Sequence, residues 1–249
     1  MAVVLAAGAG TRLRPLTRVL PKALCPVGGV PLLDLAVARA RVVTEAVAVN
    51  VHHGRPLVEA HLAASPAPVH MSIEEPEVLG TAGALGRLRR WIDGRDVLVL
   101  NVDSWHRADL GAFCAAWDRA RVRLLTVRDP SRASWDDRCY AGAGLLPWAE
   151  VARVPEAPAG LWEVSWRRLV PGRDLELVDH EGPWFDCGTP ASYLAANLEA
   201  SGGRPVVAAG AVVDGRLEES VVWAGARVER GEVLRRAVRA PRRITVLVR

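Results

Sequence analysis

The sequence predicts an α/β fold with a mainly parallel sheet and helices on both of its faces. Two observations predict it: apolar runs rich in valine, leucine and isoleucine, and helical patterns that separate them. Parallel strands buried on both faces are apolar throughout, whereas half-exposed strands alternate apolar and polar residues. The predicted strands cover residues 2–7, 46–51, 69–73, 97–102 and 123–128, and the predicted helices cover residues 31–43, 56–64, 83–92 and 109–120.

Three loops are the first candidates for a functional site. In open α/β sheets, ligands bind beyond the carboxyl ends of the strands. These loops follow the first, third and fourth predicted strands, at residues 8–30, 74–82 and 103–108.

The pattern changes after about residue 200. The segment Ser201-Gly202-Gly203 is interpreted as a hinge, which divides the chain into a domain at residues 1–200 and a tail at 204–249. Apolar residues then recur every six positions, as the flat faces of a short left-handed β-helix require; they are Val206 and Val212, then Val222, Val228 and Leu234. About two turns are too few to be stable alone, so we expect the tail to pack on the domain or on a second subunit. An irregular β-rich tail is the alternative.

Composition argues against several classes of protein. No apolar run reaches the roughly 18 residues that a membrane-spanning helix needs. The apolar N-terminus lacks a basic leader, so we interpret it as a buried strand and expect a cytoplasmic protein. No CxxC spacing occurs, which predicts free thiols at the four cysteines, Cys25, Cys114, Cys139 and Cys187.

The net charge of +4 is concentrated in the tail. Residues 204–249 hold 10 arginines and 5 acidic residues, so the rest of the chain is nearly neutral. Because the tail's charges alternate in sign and lie among small residues, we expect a solvated surface there and no nucleic-acid partner.

Lys22 is the one lysine among 32 basic residues. Lysine is a compact point charge on a thin stem, whereas arginine is a planar fork. A site that places one ammonium between phosphate oxygens would not accept arginine, so Lys22 is a candidate functional residue. The alternative is that Lys22 was retained by chance.

A glycine turn follows the first predicted strand. Gly8 and Gly10 allow backbone N–H groups to approach a phosphate closely. The dinucleotide fingerprint needs a third glycine where Leu13 stands, and the Walker A sequence is absent. Arg12 and Lys22 then supply two positive charges, which favours a polyphosphate ligand.

Residues 5–27 resemble the signature L-A-x-G-x-G-T-R-L-x-P-L-T-x-x-x-P-K-x-L-x-P-V of sugar-1-phosphate nucleotidyltransferases, with every fixed position filled. Residues 75–84 are similar to that family's nucleotide-base loop, 98–103 to its strand ending in N-G-D, and 184–190 to W-x-D-x-G-T-P. Residues 219–223 match the β-helix segment of the mannose-1-phosphate guanylyltransferase branch. The resemblance implies a Rossmann-like fold and transfer of a nucleotidyl group from a nucleoside triphosphate to a sugar-1-phosphate, releasing pyrophosphate.

The resemblance also implies roles for individual residues. Arg12, Lys22 and Asp103 would be catalytic: Arg12 stabilises the departing pyrophosphate, and Lys22 bridges it to the α-phosphate. Asp103 and Asp186 would hold Mg²⁺, which prefers one or two carboxylates together with waters and substrate oxygens. Gly142 and Glu163 would bind the sugar. The residues expected to bind the nucleotide are Ala6, Ala7, Gly8, Gly10, Thr11, Arg12, Lys22, Glu75, Gly80 and Thr81.

Glu75 bears on which base is used. Many uridylyl- and thymidylyltransferases of the family carry glutamine at this position, whereas a carboxylate can accept both N1–H and N2–H₂ of guanine. We therefore expect GTP with mannose-1-phosphate or a similar acceptor. UTP or dTTP with an amino sugar, muramate or glucose 1-phosphate is the alternative.

Three departures from the family pattern leave a second function class open. Val102 replaces a glycine before Asp103, and Tyr140 stands where many relatives have an asparagine facing the sugar. The hairpin that carries a phosphate-binding lysine in an E-K-P sequence is missing; residues 128–139 contain no lysine. A catalytically weak nucleotide-sugar sensor or regulatory subunit is the alternative to an enzyme. We also expect self-association through the tail.

Overall fold

The computed structural model describes residues 1–66 and 68–248, so Ala67 of the predicted domain and Arg249 of the predicted tail lie outside the described residues. The strands are β1 Ala2–Leu5, β2 Pro26–Val27, β3 Val30–Pro31, β4 Val47–Val51, β5 His70–Ile73, β6 Val97–Asn101, β7 Ser104–His106, β8 Val122–Arg128, β9 Arg138–Leu146, β10 Leu175–Asp179, β11 Trp184–Asp186, β12 Val206–Val207, β13 Val212–Val213, β14 Arg216–Glu218, β15 Val221–Val222, β16 Arg227–Val228, β17 Val233–Arg235, β18 Ala237–Ala240 and β19 Ile244–Leu247. The α-helices are α1 Leu32–Arg41, α2 Arg55–Ala64, α3 Gly80–Arg87, α4 Arg89–Ile92, α5 Leu110–Ala115, α6 Trp148–Val151, α7 Leu161–Val164 and α8 Pro190–Ala200. Single 3₁₀ turns lie at Thr11–Leu13, Leu16–Arg18, Lys22–Leu24 and Trp166–Arg168.

The central sheet has the strand order β10-β8-β9-β6-β1-β4-β5. All neighbouring strands are parallel except β9, which is antiparallel to β6 and β8. The predicted mainly parallel α/β sheet is therefore confirmed, and each of the five predicted strands forms. β9 and β10 were not predicted: β9 carries Gly142 and Gly144 near its middle, and β10 is a short edge strand with Glu176 between two leucines. The helix predicted at residues 83–92 is two helices, α3 and α4, that meet at Leu88.

The sheet separates two apolar cores, as β1 shows. Ala2 and Val4 point into the core formed with α1, α5 and α8, whereas Val3 points into the core formed with α3, α4 and α7. Alternate residues of a strand face opposite sides of its sheet. A run that is apolar at every position therefore needs helices on both faces, which is the arrangement observed.

The topology brings several loops to one edge of the sheet. The parallel strands β1, β4, β5 and β6 all end there. Because β9 runs in the opposite direction, its first residues, Arg138 to Gly142, also lie at this edge. The site is built there.

The tail consists of short strands in parallel ladders. Strand β12 pairs with β15 and β15 with β18, while β13 pairs with β16 and β14 with β17. Strand β19 closes the tail by pairing antiparallel with β18. The expected β-structure is present; its assignment as a left-handed β-helix stays a prediction, as do the domain boundary and self-association.

The tail packs on the domain. Trp223 is 2% exposed and belongs to the same apolar cluster as α1 and α8. Its indole N–H donates to the Tyr193 hydroxyl at 3.0 Å, and that hydroxyl donates to the carbonyl of Pro26. The Trp223 ring meets Tyr193 edge to face. Of the two expected partners for the tail, the structure therefore shows the domain.

Two further expectations concern the described residues. All four cysteines are free thiols there, as predicted, and burial raises the pKa of Cys25 to about 12. No helix in the described ranges is long and apolar enough to cross a membrane.

Candidate active site

A chain of buried hydrogen bonds anchors the loop after β1. Asn50 accepts from the backbone N–H of Ala6 at 2.6 Å and donates to Glu74 at 2.7 Å. The second oxygen of Glu74, which is fully buried, accepts from the N–H of Leu79 at 2.7 Å. These bonds join the ends of β1, β4 and β5. Sequence analysis missed Asn50 and Glu74, although a polar residue inside or directly after a buried strand is the signal that could have found them.

Gly10 holds Lys22 in place. Its backbone is left-handed, with φ of +59°, and a Cβ there would lie 2.8 Å from Cβ of Lys22. Thr17 donates to the Gly10 carbonyl at 2.9 Å, which closes the turn. The Lys22 side chain is 10% exposed and its ammonium forms an ion pair with Asp103. Because Lys22 packs directly on this turn, only glycine fits at position 10 without displacing it.

The remaining predicted residues of this loop lie around the turn. Ala6 and Ala7 are buried, and the Ala7 carbonyl accepts from His53 Nδ1 at 3.0 Å. Gly8 and Thr11 are exposed, and nothing lies within 4 Å of a Cβ added at Gly8. The backbone near Gly8 is therefore open to a ligand.

The two aspartates meet through a short antiparallel pair. Strand β7 pairs with β11 so that Ser104 lies opposite Asp186, and the N–H of Cys187 donates to the Asp103 carbonyl at 2.8 Å. One oxygen of Asp186 accepts from Arg12 at 3.4 Å and from Arg132 at 2.9 Å. Both carboxylates therefore face the same space, each with cationic partners.

Two cavities flank the Lys22–Asp103 pair. The first has a volume of about 440 Å³ and is lined by residues that include Gly8, Arg14, Lys22 and His53. The second has a volume of about 320 Å³, and we call it the acceptor cavity; it is lined by Arg12, Asn101, Asp103, Ser104, Arg132, Ser134, Cys139, Tyr140, Gly142, Trp184 and Asp186. Neither is enclosed, so both are open to ligands.

The carboxylates suit a hard dication. In the described part of the chain, no group of three or more His, Cys, Asp or Glu residues could hold a metal. Magnesium, however, uses only one or two carboxylates and completes its shell with water and phosphate oxygens. Asp103 and Asp186 line one open cavity and fit that donor set.

In the base loop, two predicted residues contact the chain itself. A Cβ at Gly80 would lie 2.6 Å from the Ala159 carbonyl, and the Thr81 hydroxyl accepts from the N–H of Leu161 at 2.7 Å. These contacts join the loop to the segment before α7. They explain the residue types without a ligand, so the binding of nucleotide by Gly80 and Thr81 stays a prediction.

Glu75 lies at the rim of the base loop. Its side chain is 60% exposed and forms an ion pair with Arg55 at the start of α2. Sequence analysis missed Arg55. The pairing places a hydrogen-bond donor beside the carboxylate acceptor.

Of the two predicted sugar residues, the structure places one at the acceptor cavity. Gly142 lines it with φ of +88°, and Ser104 fills the space where its Cβ would stand. Glu163 is exposed on α7, lies over Gly160, and does not line this cavity.

Val102 and Tyr140, the two residues that depart from the family pattern, lie in different surroundings. Val102 is 6% exposed and packs in the apolar core, so its side chain does not obstruct the site. Tyr140 lines the acceptor cavity and meets Trp166 edge to face, with 4.7 Å between the ring centroids; its buried hydroxyl has no hydrogen-bond partner among the described residues. Burial, and secondarily the charge of Asp103, raise the pKa of Tyr140 above its ordinary range.

Comparison with known proteins agrees with this geometry. The family model described as nucleotidyl transferase matches residues 1–131. The N-acetylmuramate alpha-1-phosphate uridylyltransferase of Caulobacter vibrioides is 31% identical over 230 residues, covering 79% of this chain and 95% of that protein.

The chain belongs to the nucleotidyl transferase family. Within this family it is similar to sugar-1-phosphate nucleotidyltransferases. The mannose-1-phosphate guanyltransferase of Schizosaccharomyces pombe is 30% identical over 78% of this chain, which spans 62% of that protein's length. The structure of HddC from Yersinia pseudotuberculosis complexed with GMP-PN shares the fold, with a TM-score of 0.66 and 18% identity over 80% of this chain and 98% of that chain.

Proposed function

We propose that this nucleotidyltransferase joins a nucleoside triphosphate to a sugar-1-phosphate, and that the Lys22–Asp103 pair marks the point of transfer. The pair is the observation that carries the proposal, since it connects the cavity beside the glycine turn with the acceptor cavity. A triphosphate on the first side and a sugar-1-phosphate on the second would bring their reacting atoms to one place.

The reaction is an in-line displacement at the α-phosphorus. An acceptor phosphate oxygen forms a bond to this phosphorus while the bond to the bridging oxygen breaks, and the electron pair leaves with pyrophosphate. The nucleophile is already an anion, so no general base is required. The protein must align the two phosphates and neutralise their charge.

The basic residues supply that neutralisation. The packing of Lys22 on Gly10 would hold its ammonium at the α-phosphate, and Arg12, in the turn at Thr11–Leu13, donates to Asp186 at the same site. We propose that Asp103 and Asp186 hold Mg²⁺ with the bound nucleotide. The ion would draw charge from the phosphate oxygens as a Lewis acid. A binding-only sensor would not need both carboxylates, which favours the enzyme.

For the base, we propose guanine. The Glu75 carboxylate can accept the N1–H and N2–H₂ of guanine, and Arg55 beside it can donate to the O6 atom. The similarity of residues 219–223 to guanylyltransferases supports the same assignment, as does the Schizosaccharomyces pombe relative. The proposed acceptor is mannose-1-phosphate or a similar sugar-1-phosphate.

For the tail, we propose a left-handed β-helix, which is supported by the six-residue period and the parallel ladders.

UTP with a muramate-type acceptor is the second candidate. The Caulobacter vibrioides relative, which is matched over 95% of its length, is a uridylyltransferase. In addition, the Arg55–Glu75 ion pair supplies a donor for a uracil carbonyl.

A matrix of the four NTPs and dTTP against sugar-1-phosphates tests both candidates, with pyrophosphate release as the readout. We expect activity that depends on Mg²⁺ and is highest with GTP. Glu75→Gln should reduce the preference for GTP over UTP by about tenfold, the effect of one hydrogen bond. Highest activity of the wild type with UTP would contradict guanine as the base and support uracil. Binding of NTP without pyrophosphate release from any pair would instead support the sensor.

A further inference from the structure

The short loop between β8 and β9, residues 129–137, places one cationic side chain at the acceptor cavity. Arg132 lies in this loop, donates to Asp186 at 2.9 Å, and stacks over the Trp184 ring with 5.1 Å to its centroid. Its neighbour Arg128, by contrast, pairs with Asp137 and does not line the acceptor cavity. The position of Arg132 therefore reflects specific contacts with β11.

The charges of the acceptor cavity are unevenly placed. Arg12 enters the acceptor cavity from the turn after β1, and Arg132 enters it from the loop between β8 and β9, so the two cations come from separate segments. Both guanidiniums donate to the same oxygen of Asp186. That carboxylate keeps one cationic partner if Arg132 turns to another anion.

Arg132 has donors to spare. A guanidinium carries five N–H groups in a planar fork, and the single contact with Asp186 uses only one. Its side chain is 47% exposed and lines the acceptor cavity, so the other donors are accessible to a ligand there. The contact with Trp184 holds the guanidinium beside the cavity, and such a fork matches two oxygens of a phosphate.

We propose that Arg132 binds the phosphate monoester of the acceptor substrate and positions its oxygen for attack. This rests on the proposed function, because in-line displacement places the acceptor phosphate opposite the departing pyrophosphate. The nucleotide's phosphates occupy the side of Lys22 and the glycine turn, so the acceptor phosphate lies between Arg132 and the Lys22–Asp103 pair. The sugar then extends along Tyr140 and Gly142, which line the same cavity.

Calorimetric titration of the full-length protein tests this with inorganic phosphate and with GTP as probes. Arg132→Gln should weaken binding of phosphate by about 10- to 100-fold, as loss of a charge-assisted hydrogen bond does, and leave GTP binding unchanged. Arg132→Lys, which keeps the charge and loses the fork, should lie between. Arg128→Gln is the matched control, since it removes an exposed arginine at the end of β8, four residues before Arg132, that does not line the acceptor cavity.

Equal phosphate affinity in Arg132→Gln and wild type would overturn the proposal, as would equal losses for phosphate and GTP or no phosphate binding by the wild type. With an acceptor identified from the matrix, Arg132→Gln should raise its KM about tenfold and leave the KM of the NTP unchanged. Phosphate binding through Arg132 without pyrophosphate release from any pair would refute the proposed function alone.

Discussion

The proposed nucleotide side and the proposed acceptor side of the site are built differently. The first comes mainly from one continuous stretch, residues 6–27, whose turn is closed by Thr17 and tied to buried Asn50 and Glu74; His53 also lines its cavity. The second is assembled from four separate stretches of the chain: Arg12, residues 101–104, residues 132–142 and residues 184–186. Lys22 has a side chain only 10% exposed, whereas that of Arg132 is 47% exposed.

This difference in burial shows how each side of the site orients its ligand. Donors held by buried contacts are oriented before the substrate arrives and need no reorganisation during the reaction. A half-exposed arginine keeps more side-chain freedom than a buried lysine, and ordering it further when a ligand binds costs part of the binding energy. The nucleotide side is therefore suited to fixed chemistry, and the acceptor side to a variable substrate.

The largest effect is expected at the point where the two sides meet. Asp103→Asn removes the carboxylate that pairs with Lys22 and that we propose as a magnesium ligand. Pyrophosphate release should fall by more than about 10³-fold while the circular dichroism spectrum stays unchanged. Asp186→Asn should do the same. Full activity of either variant with the best substrate pair would remove the carboxylates from the mechanism.

A smaller loss should follow from changing the shape of the buried cation. Lys22→Arg keeps the charge, but the fork cannot pack on Gly10 as the lysine stem does. The kcat should fall by about 10²-fold with the KM of the acceptor little changed. Wild-type turnover would show that Lys22 is not required as an ammonium, and that the scarcity of lysine elsewhere in the chain has no functional meaning.

The smallest effect is expected at Glu74, the buried acid that anchors the loop after β1, and its exposed neighbour Glu75 serves for comparison. Glu74→Gln leaves one of two buried donors, from Asn50 and Leu79, without an acceptor. This should lower the free energy of unfolding by about 1–3 kcal/mol. Glu75→Gln, the matched control, alters only a surface ion pair and should change it by less than about 0.5 kcal/mol. Urea denaturation measures both, and equal losses would contradict a preorganised nucleotide side.

Several features of the molecule were accessible from local sequence. Every predicted strand forms, because an unbroken apolar run can be satisfied only inside a sheet covered on both faces. The candidate residues Lys22, Asp103 and Asp186 also come together, since they follow strands or turns that end at one edge. Strand β9 was not predicted, because the need for its glycines is visible only from the residues that pack on them, such as Ser104 on Gly142.

The sequence by itself determined five of the seven strands of the central sheet, the glycine turn and the identity of the lone lysine, since each depends on residues adjacent in the chain. Only the tertiary structure decided that Glu74 is the buried acid and Glu75 the paired one, that Trp223 attaches the tail to Tyr193, and that Arg132 reaches Asp186. These contacts join segments many residues apart, and neighbouring residues of the same type compete for each of them. Which one is buried or paired depends on how the elements pack, and no local pattern contains that information.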